Sequence, residues 1–286
     1  MSEQMQQVNG ITICMESFGD PTDPAVLLIM GSMCSMVYWD EQFCQRLADS
    51  GRFVIRYDNR DVGRSTTYEP GTSNYSLTDL ADDAIGVLDA YGIKQAHIVG
   101  LSMGGLIAQI IAVRHPHRAL TITPIASCII FESEDTSKEY PPMDENIIAY
   151  HTNSTTLDWS DEQAVADYLV GGSALLCGSK HVFEKERAYK QVTQEIKRAN
   201  NLLSMFNHAL LASNSYEGSL RDIHIPTLVI HGDEDQVNHY NYALTLANEI
   251  PNAALLTLKG TGHELHAGDW EEVIHAIVEH TSSKEA

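Results

Sequence analysis

Positively charged side chains are scarce in this chain of 286 residues. Lysine and arginine total 18, whereas aspartate and glutamate total 39, which gives a formal net charge of −21. Because phosphate backbones and anionic lipid surfaces repel an acidic protein, this balance argues against a nucleic acid or a membrane surface as the partner. Hydrophobic residues nevertheless make up 43% of the chain, enough to bury a substantial core.

Cysteines are also few. The five are scattered, odd in number and without C-x-x-C spacing, a pattern typical of reduced thiols rather than of a disulfide framework. No uninterrupted apolar run approaches the roughly 18 residues of a membrane helix, and residues 1–7 contain neither the basic nor the apolar region of an export signal. We therefore expect a soluble protein of the cytoplasm, and no feature indicates a particular oligomeric state.

Runs typical of buried strands alternate with stretches that have helical spacing. The strand-like runs before residue 131 are 25–30, 53–57, 96–99 and 120–128, and the helix-like stretches between them are 40–50, 76–92 and 106–112. An Asn9-Gly10 pair within 8–18 indicates a tight hairpin at the start. This alternation predicts an α/β fold in which helices cover both faces of a mostly parallel sheet.

The pattern changes between residues 132 and 218. Strand-like runs disappear there, and helical spacing is found at 161–169, 182–190 and 200–212. Strands and helices then alternate again from 227 to 280. We therefore predict a core formed by residues 1–131 and 219–286, with residues 132–218 inserted as a helical lid over the carboxyl ends of the strands.

A glycine-flanked serine follows the strand-like run at 96–99. The motif Gly100-Leu101-Ser102-Met103-Gly104 leads directly into an apolar helical stretch. A strand, a tight turn and a helix are the context in which a G-x-S-x-G serine acts as a nucleophile, because small neighbours let the turn expose the hydroxyl. We predict that Ser102 is a catalytic nucleophile.

A serine nucleophile needs a base and an acid, and both have candidates after later strands. Asp235 follows the strand at 227–231, where Asp233 and Glu234 compete with it. His263 follows a glycine-rich turn after 254–259, and His266 competes with it. The order Ser, Asp, His favours Ser102, Asp235 and His263 as a triad. The two histidines are three residues apart and not four, so no H-E-x-x-H metal site is expected.

An ester-cleaving serine also needs two N–H groups that stabilise the oxyanion. One comes from the residue after the nucleophile, which is Met103. The second is expected in the loop after the first parallel strand, where Gly31 permits a turn and Ser32 supplies the N–H group.

Several motifs together resemble the α/β-hydrolase superfamily over nearly the whole chain. They are the segments Gly100-Leu101-Ser102-Met103-Gly104-Gly105 and Tyr57-Asp58-Asn59-Arg60-Asp61-Val62-Gly63-Arg64-Ser65, the Met30-Gly31 loop and the two late strand ends. Within it, the Met-Gly loop and the arginine-rich segment are similar to the aclacinomycin methylesterase branch, which serine-dependent macrolide esterases resemble. The charged side chains of 58–64 are expected to tie loops together rather than to contact substrate.

The resemblance implies a serine carboxylesterase that needs no cofactor. Its implied substrate is a small-molecule, bulky hydrophobic ester, either a polyketide methyl ester or a macrolide lactone. Met30, Met33 and Met36 lie near the expected mouth of the site, and their adaptable thioethers are candidates for substrate binding. Packing in the core is the alternative role for these methionines.

Two other functions stay open. One is different chemistry at the same triad, either carbon–carbon bond hydrolysis or cofactor-free perhydrolysis. The other is a non-catalytic binding protein on a hydrolase scaffold. Haloalkane dehalogenases and epoxide hydrolases of this fold have aspartate where this chain has Ser102, which disfavours their chemistry.

Overall fold

A computed structural model describes residues 3–131, 133, 140–213, 216 and 218–282. The chain begins with the expected hairpin, formed by β1 (Gln4–Val8) and β2 (Ile11–Phe18). Its two-residue turn has φ 49° at Asn9 and φ 81° at Gly10. Positive φ at both positions matches the twist of the paired strands, which explains the Asn-Gly sequence there.

The alternation of strands and helices is as predicted, with ends shifted by a few residues. The elements are β3 (Ala25–Ile29), α1 (Glu41–Asp49), β4 (Phe53–Tyr57), α2 (Leu77–Ala90), β5 (Ala96–Leu101), α3 (Met103–Arg114) and β6 (Ala119–Ile125). Short polar side chains cap the first turns of two of these helices. Ser76 and Asp79 form a capping box at α2, and Asp40 accepts the N–H of Gln42 at α1.

The segment that was predicted to form a lid contains helices that differ in part from the prediction. They are α4 (Glu145–Thr152), α5 (Glu162–Leu175), α6 (Lys185–Arg198) and a 3-10 helix at Leu202–Ser213. The helix α4 was not predicted, and the last segment is 3-10 rather than α-helical. Polar side chains compete with the backbone there, because the Ser204 hydroxyl donates to the carbonyls of Asn201 and Asp61. The lid's predicted first residue, Glu132, lies outside the described residues.

The remaining elements complete one sheet. They are β7 (Leu228–Gly232), α7 (Asn241–Glu249), β8 (Ala254–Leu258) and α8 (Trp270–Ser282). The strand order is β1-β2-β4-β3-β5-β6-β7-β8, with β3 to β8 parallel and the first two strands antiparallel. The prediction of a mostly parallel sheet is confirmed.

Two apolar cores lie on opposite faces of this sheet. Side chains of β3 alternate between them, with Leu27 in one core and Val26 and Leu28 in the other. The first core packs against α2, α3 and α7, and the second packs against α1 and α8. Helices therefore cover both faces, as predicted. Within the residues described, no helix is long and apolar enough to cross a membrane.

Candidate active site

Ser102 lies on a strained turn between β5 and α3. Its backbone angles are φ 53° and ψ −116°, a conformation that costs a non-glycine residue about 1–3 kcal/mol. Although Ser102 occupies the N-cap position of α3, its hydroxyl does not cap the helix. The turn thus keeps this hydroxyl out of the hydrogen bonds of the helix, as a nucleophile requires.

Glycines are needed at this turn because backbone segments nearly touch. A Cβ atom added to Gly100 would lie 2.0 Å from the carbonyl oxygen of Gly104, and one added to Gly104 would lie 2.1 Å from that of Ile29. Both distances are far shorter than any van der Waals contact, so a larger residue would force the strand and helix apart. This is the physical reason that the sequence motif suggested.

A histidine–carboxylate pair lies at the ends of β7 and β8. Nδ1 of His263 lies 2.8 Å from Oδ2 of Asp235. The other carboxylate oxygen accepts the N–H groups of Val237 and Asn238, at 2.8 and 2.7 Å. A second histidine, His231, has its Nε2 atom 3.3 Å from Oδ2. The carboxylate is therefore buried but surrounded by donors.

These donors keep Asp235 ionised. Burial alone would raise the pKa of Asp235, but the facing imidazoles of His263 and His231 together lower it well below its ordinary value of 3.8. A carboxylate can only accept hydrogen bonds, so Nδ1 of His263 carries the proton that is shared with it. The Nε2 atom of His263 is thereby the nitrogen that can accept a proton.

The competing residues are engaged in other contacts. Asp233 pairs with Lys259, whose Nζ atom lies 2.9 Å away, and Glu234 accepts both the N–H and the hydroxyl of Ser179 at 2.7 Å. Nδ1 of His266 accepts the backbone N–H two residues later, at 3.0 Å. The structure therefore brings together the acid and base that the sequence analysis favoured, and not their competitors.

A chain of contacts links the Ser102 turn to this pair. The Ser127 hydroxyl donates to the carbonyl of Ser102 at 3.0 Å. The preceding residue, Ala126, has a left-handed φ of 48°, and its carbonyl accepts the side-chain amide of Asn238 at 2.8 Å. Asn238 also donates its backbone N–H to Asp235. Asn238 thus connects the loop after β6 with the loop after β7. The sequence analysis did not identify this residue.

The Ser102 hydroxyl itself is not hydrogen-bonded to His263 in the part of the chain that the structure describes. Hydrogen bonds between a nucleophile and its base are often long before substrate binds.

The loop after β3 approaches Ser102 closely. A Cβ atom added to Gly31 would lie 3.2 Å from the Cβ atom of Ser102. The next residue is Ser32, and Met103 is the first residue of α3. Within the described residues, neither the Ser32 N–H nor the Met103 N–H donates to a protein acceptor. Neither N–H group is therefore used by another protein group, as the prediction of two oxyanion donors requires.

The three methionines singled out in the sequence have different environments. Met30 is buried in the core on the α1 side of the sheet, and Met36 is fully buried in a short 3-10 helix. Met33 is half-buried and has a left-handed φ of 64°. Only Met33 of the three retains appreciable exposure in this loop.

The charged segment after β4 ties loops together, as expected. Oδ1 of Asp58 accepts the N–H of Met36 at 2.8 Å, and its Oδ2 accepts the N–H of Arg64 at 2.9 Å. The Arg60 side chain forms a salt bridge with Asp83. Burial raises the pKa of Asp58 above its ordinary value, although the facing guanidinium of Arg198 opposes the shift.

That arginine belongs to a polar cluster on α6 that the sequence analysis missed. Arg198 donates to Asp58 at 2.9 Å and to the Ser35 hydroxyl at 3.1 Å. Glu195, one turn earlier, accepts the Ser35 hydroxyl. Burial raises the pKa of Glu195 to about 7, with nearby Asp58 adding to the shift. Among the described residues, no group of three or more His, Cys, Asp or Glu side chains is placed to hold a metal ion.

A serine on such a turn, at the carboxyl end of a mostly parallel sheet, is the arrangement found in α/β-hydrolases. The chain belongs to this family, because the sequence model of the alpha/beta hydrolase fold matches residues 24–269. The predictions of the fold class and of a hydrolytic enzyme are therefore confirmed.

Proteins of similar sequence show which branch of this family the chain resembles. The chain is similar to Rhodomycin D methylesterase DauP of Streptomyces sp. (strain C5), with 30% identity over 293 residues and 98% of each chain covered. Rhodomycin D methylesterase DnrP of Streptomyces peucetius is 29% identical with the same coverage. A 2-hydroxymuconate semialdehyde hydrolase of Pseudomonas putida is 32% identical over 79% of this chain and 73% of that protein. The predicted likeness to the methylesterase branch is confirmed.

Solved structures support the fold. An esterase from Exiguobacterium antarcticum superposes with a TM-score of 0.80 at 20% identity, over 99% of this chain and all of that one. An enol-lactonase from Burkholderia xenovorans LB400 has a TM-score of 0.77 at 19% identity, over 98% of this chain and all of that one. At these identities the likeness concerns the fold alone.

Proposed function

We propose that this chain is a serine carboxylesterase. Ser102 is the nucleophile, His263 is the general base and acid, and Asp235 orients the imidazole and stabilises its charged form. The observation that carries the proposal is the 2.8 Å bond between His263 and the buried Asp235, linked through Asn238 to the strained Ser102 turn.

The reaction has two halves. Nε2 of His263 takes the proton of the Ser102 hydroxyl as Oγ attacks the ester carbonyl carbon. The tetrahedral intermediate collapses, and His263 gives the proton to the departing alcohol. Water then attacks the acyl-enzyme with the same base, and the carboxylic acid leaves while Ser102 regains its proton. No step requires a cofactor.

The oxyanion is stabilised by the N–H groups of Ser32 and Met103. Two donors preorganised in this way stabilise charge that develops only in the transition state, so they lower the barrier without tightening substrate binding. The neighbouring N–H of Met33 donates to His208 at 2.9 Å and is therefore not free for this role. This favours Ser32 as the donor from the loop.

The substrate we propose is a bulky hydrophobic ester, most directly a polyketide methyl ester. The full-length similarity to two Rhodomycin D methylesterases supports the methyl ester. A macrolide lactone is the second ester of this kind. Met33 has the exposure that substrate contact requires, and Met30 and Met36 would support the loop from inside.

The lid and the location are also part of the proposal. The helices described between β6 and β7 form a lid that covers the site, within the bounds 132–218. The five cysteines are free thiols, which supports a location in the reducing cytoplasm. The net charge of −21 again argues against nucleic acid and anionic membrane as partners.

Mass spectrometry of reaction products tests the substrate class. The protein is incubated with a panel of polyketide methyl esters and macrolides, with Ser102→Ala as the matched control. We expect wild-type protein to remove a methylene from a methyl ester, as conversion to the free acid requires. Addition of one water to a macrolide would instead identify a lactonase, and an unchanged panel would refute the substrate class.

A second candidate is hydrolysis of a carbon–carbon bond. It is favoured by the similarity to 2-hydroxymuconate semialdehyde hydrolase, which covers less of both chains than the methylesterase match does. Rates with a simple aryl ester and with a ring-cleavage dienoate separate the two functions. A kcat/KM that is higher for the dienoate would favour this second candidate.

A further inference from the structure

The loop that carries the proposed oxyanion donor is held by the lid. We call residues 31–35 the oxyanion loop. Met33, directly after Ser32, has a left-handed φ of 64°, which strains a residue with a long side chain. Its N–H donates to Nδ1 of His208, 2.9 Å away and 175 residues later in the chain. The side chain of His208, a lid residue, thus accepts the backbone N–H of Met33, the residue of this loop that has the strained φ angle.

The second nitrogen of His208 fixes the tautomer. Nε2 lies 2.7 Å from the carbonyl oxygen of Arg60. A carbonyl only accepts and a backbone N–H only donates, so Nε2 must carry the proton and Nδ1 must be the bare acceptor. His208 is only 2% exposed, and burial lowers its pKa, which keeps this neutral form. The imidazole therefore bridges the oxyanion loop and the segment after β4.

The other end of the loop is also bound to the lid. The Ser35 hydroxyl donates to Glu195 and accepts from Arg198, both on α6. The lid therefore contacts the oxyanion loop at Met33 and at Ser35, both of which follow Ser32 in the chain. Among the described residues, the bond from Met33 to His208 is the hydrogen bond to the lid that lies nearest to Ser32.

We propose that His208 is a positioning residue for the oxyanion hole, so that the lid is part of the catalytic machinery and not only a cover. The inference rests on the proposed function, because it concerns the donor N–H of Ser32. His208 does not touch the reacting atoms. By accepting the N–H of Met33, it holds the Ser32–Met33 peptide in place, and this restrains the residue whose own N–H is the proposed donor.

This role predicts a particular kinetic signature. A misplaced oxyanion donor weakens binding of the transition state while leaving ground-state binding intact, so kcat falls and KM stays nearly constant. Displacements of about 1 Å in such groups cost on the order of 100-fold in rate. The loss should be the same for a small aryl ester as for a bulky ester, since the donor acts on the carbonyl oxygen of both.

Two substitutions separate the two hydrogen bonds of His208. Asparagine can place an acceptor oxygen close to where Nδ1 lies and so keeps the bond to Met33. Glutamine can place a donor amide close to where Nε2 lies and keeps the bond to Arg60 instead. We expect His208→Gln to lower kcat for an aryl ester by about 10- to 100-fold, and His208→Asn to stay within about threefold of wild type.

Asn207 provides the matched control on the same 3-10 helix. It is equally buried, but it binds Asp61 and Gly71 and not the oxyanion loop. Asn207→Ala should lower the melting temperature and leave kcat within about twofold of wild type. Hydrogen–deuterium exchange of a peptide covering residues 31–36 should become faster in His208→Gln and stay unchanged in Asn207→Ala.

Three results would overturn the inference. They are an unchanged kcat in folded His208→Gln, an equal loss in His208→Asn, or an equal loss in Asn207→Ala, which would indicate a general effect of lid docking. A failure of the proposed function is recognised separately. In that case the wild-type protein would neither hydrolyse the aryl ester nor react with a fluorophosphonate, and the exchange experiment would still decide whether His208 positions the loop.

Discussion

Replacing Glu195 by glutamine should remove a pH dependence of stability that the fold itself creates. Glu195 is 3% exposed on α6, where it accepts the Ser35 hydroxyl close to the buried Asp58. Burial raises its pKa from an ordinary value of 4.5 to about 7. Glutamine has nearly the same shape, can accept the same hydrogen bond and carries no charge.

The direction and size of the effect follow from proton binding. Between pH 4.5 and about 7, folded Glu195 holds a proton that the unfolded chain has released. The free energy of unfolding therefore falls as pH rises through this window, and the stability that is fully present below pH 4.5 is lost above the folded pKa. At about 1.4 kcal/mol for each pH unit, the loss is of order 3 kcal/mol. Glu195→Gln should lack this loss.

Urea unfolding at several pH values measures the difference. The variant and the wild type should have similar free energies of unfolding at pH 4.5, and the variant should be more stable by up to about 3 kcal/mol at pH 8. Glu186→Gln, on the exposed side of the same helix, is the control and should follow the wild-type curve. Parallel curves for Glu195→Gln and wild type across this range would refute the reasoning.

Substitutions in the candidate triad and its neighbours give further expectations. His263→Ala should lower kcat by on the order of a millionfold, and adding Ser102→Ala should change little more, because the two residues act as one unit. His266→Ala should keep most of the esterase activity, and a reversed pair of results would move the base. Asp235→Asn should cost about a thousandfold or more, because His263 loses the charge that selects its tautomer. Asp233→Asn should be mild, and near wild-type rates for Asp235→Asn would place the acid elsewhere.

Local sequence patterns predicted the sheet and the strand-end loops well. The Asn9-Gly10 turn and the glycines around Ser102 are dictated by backbone geometry over a few residues, so they are readable without tertiary context. The Asp235 and His263 assignments followed from their places after two parallel strands, whose carboxyl ends meet at one edge of the sheet.

The contacts that residues 195–208 make with the core loops could not be predicted in this way. His208 and Met33 are separated by 175 residues, and Ser35 and Glu195 by 160. The sequence around a polar side chain in a helical stretch does not show which distant residue that side chain will hydrogen-bond. His231 did offer a signal, since it is a histidine within an otherwise apolar buried strand, and the structure places it beside Asp235.

Helical periodicity in the sequence also gave a wrong helix type where tertiary contacts determine the backbone conformation. The 3-10 helix at Leu202–Ser213 has the apolar composition of an α-helix, but its polar residues bind core loops instead of the regular backbone ladder. The burial of Met30 and Met36 likewise depends on the sheet and the loop above it, and not on their spacing in the sequence.

Covalent trapping is the most direct measurement of whether Ser102 is the nucleophile of this site. A fluorophosphonate reacts with a serine only where a base activates the hydroxyl and N–H donors stabilise the resulting oxyanion. After incubation and proteolysis, mass spectrometry should find a single phosphonylated residue, Ser102, together with loss of aryl-ester hydrolysis. Ser102→Ala should be neither labelled nor active. Labelling at another serine, or hydrolysis by Ser102→Ala at more than about a tenth of the wild-type rate, would contradict the account.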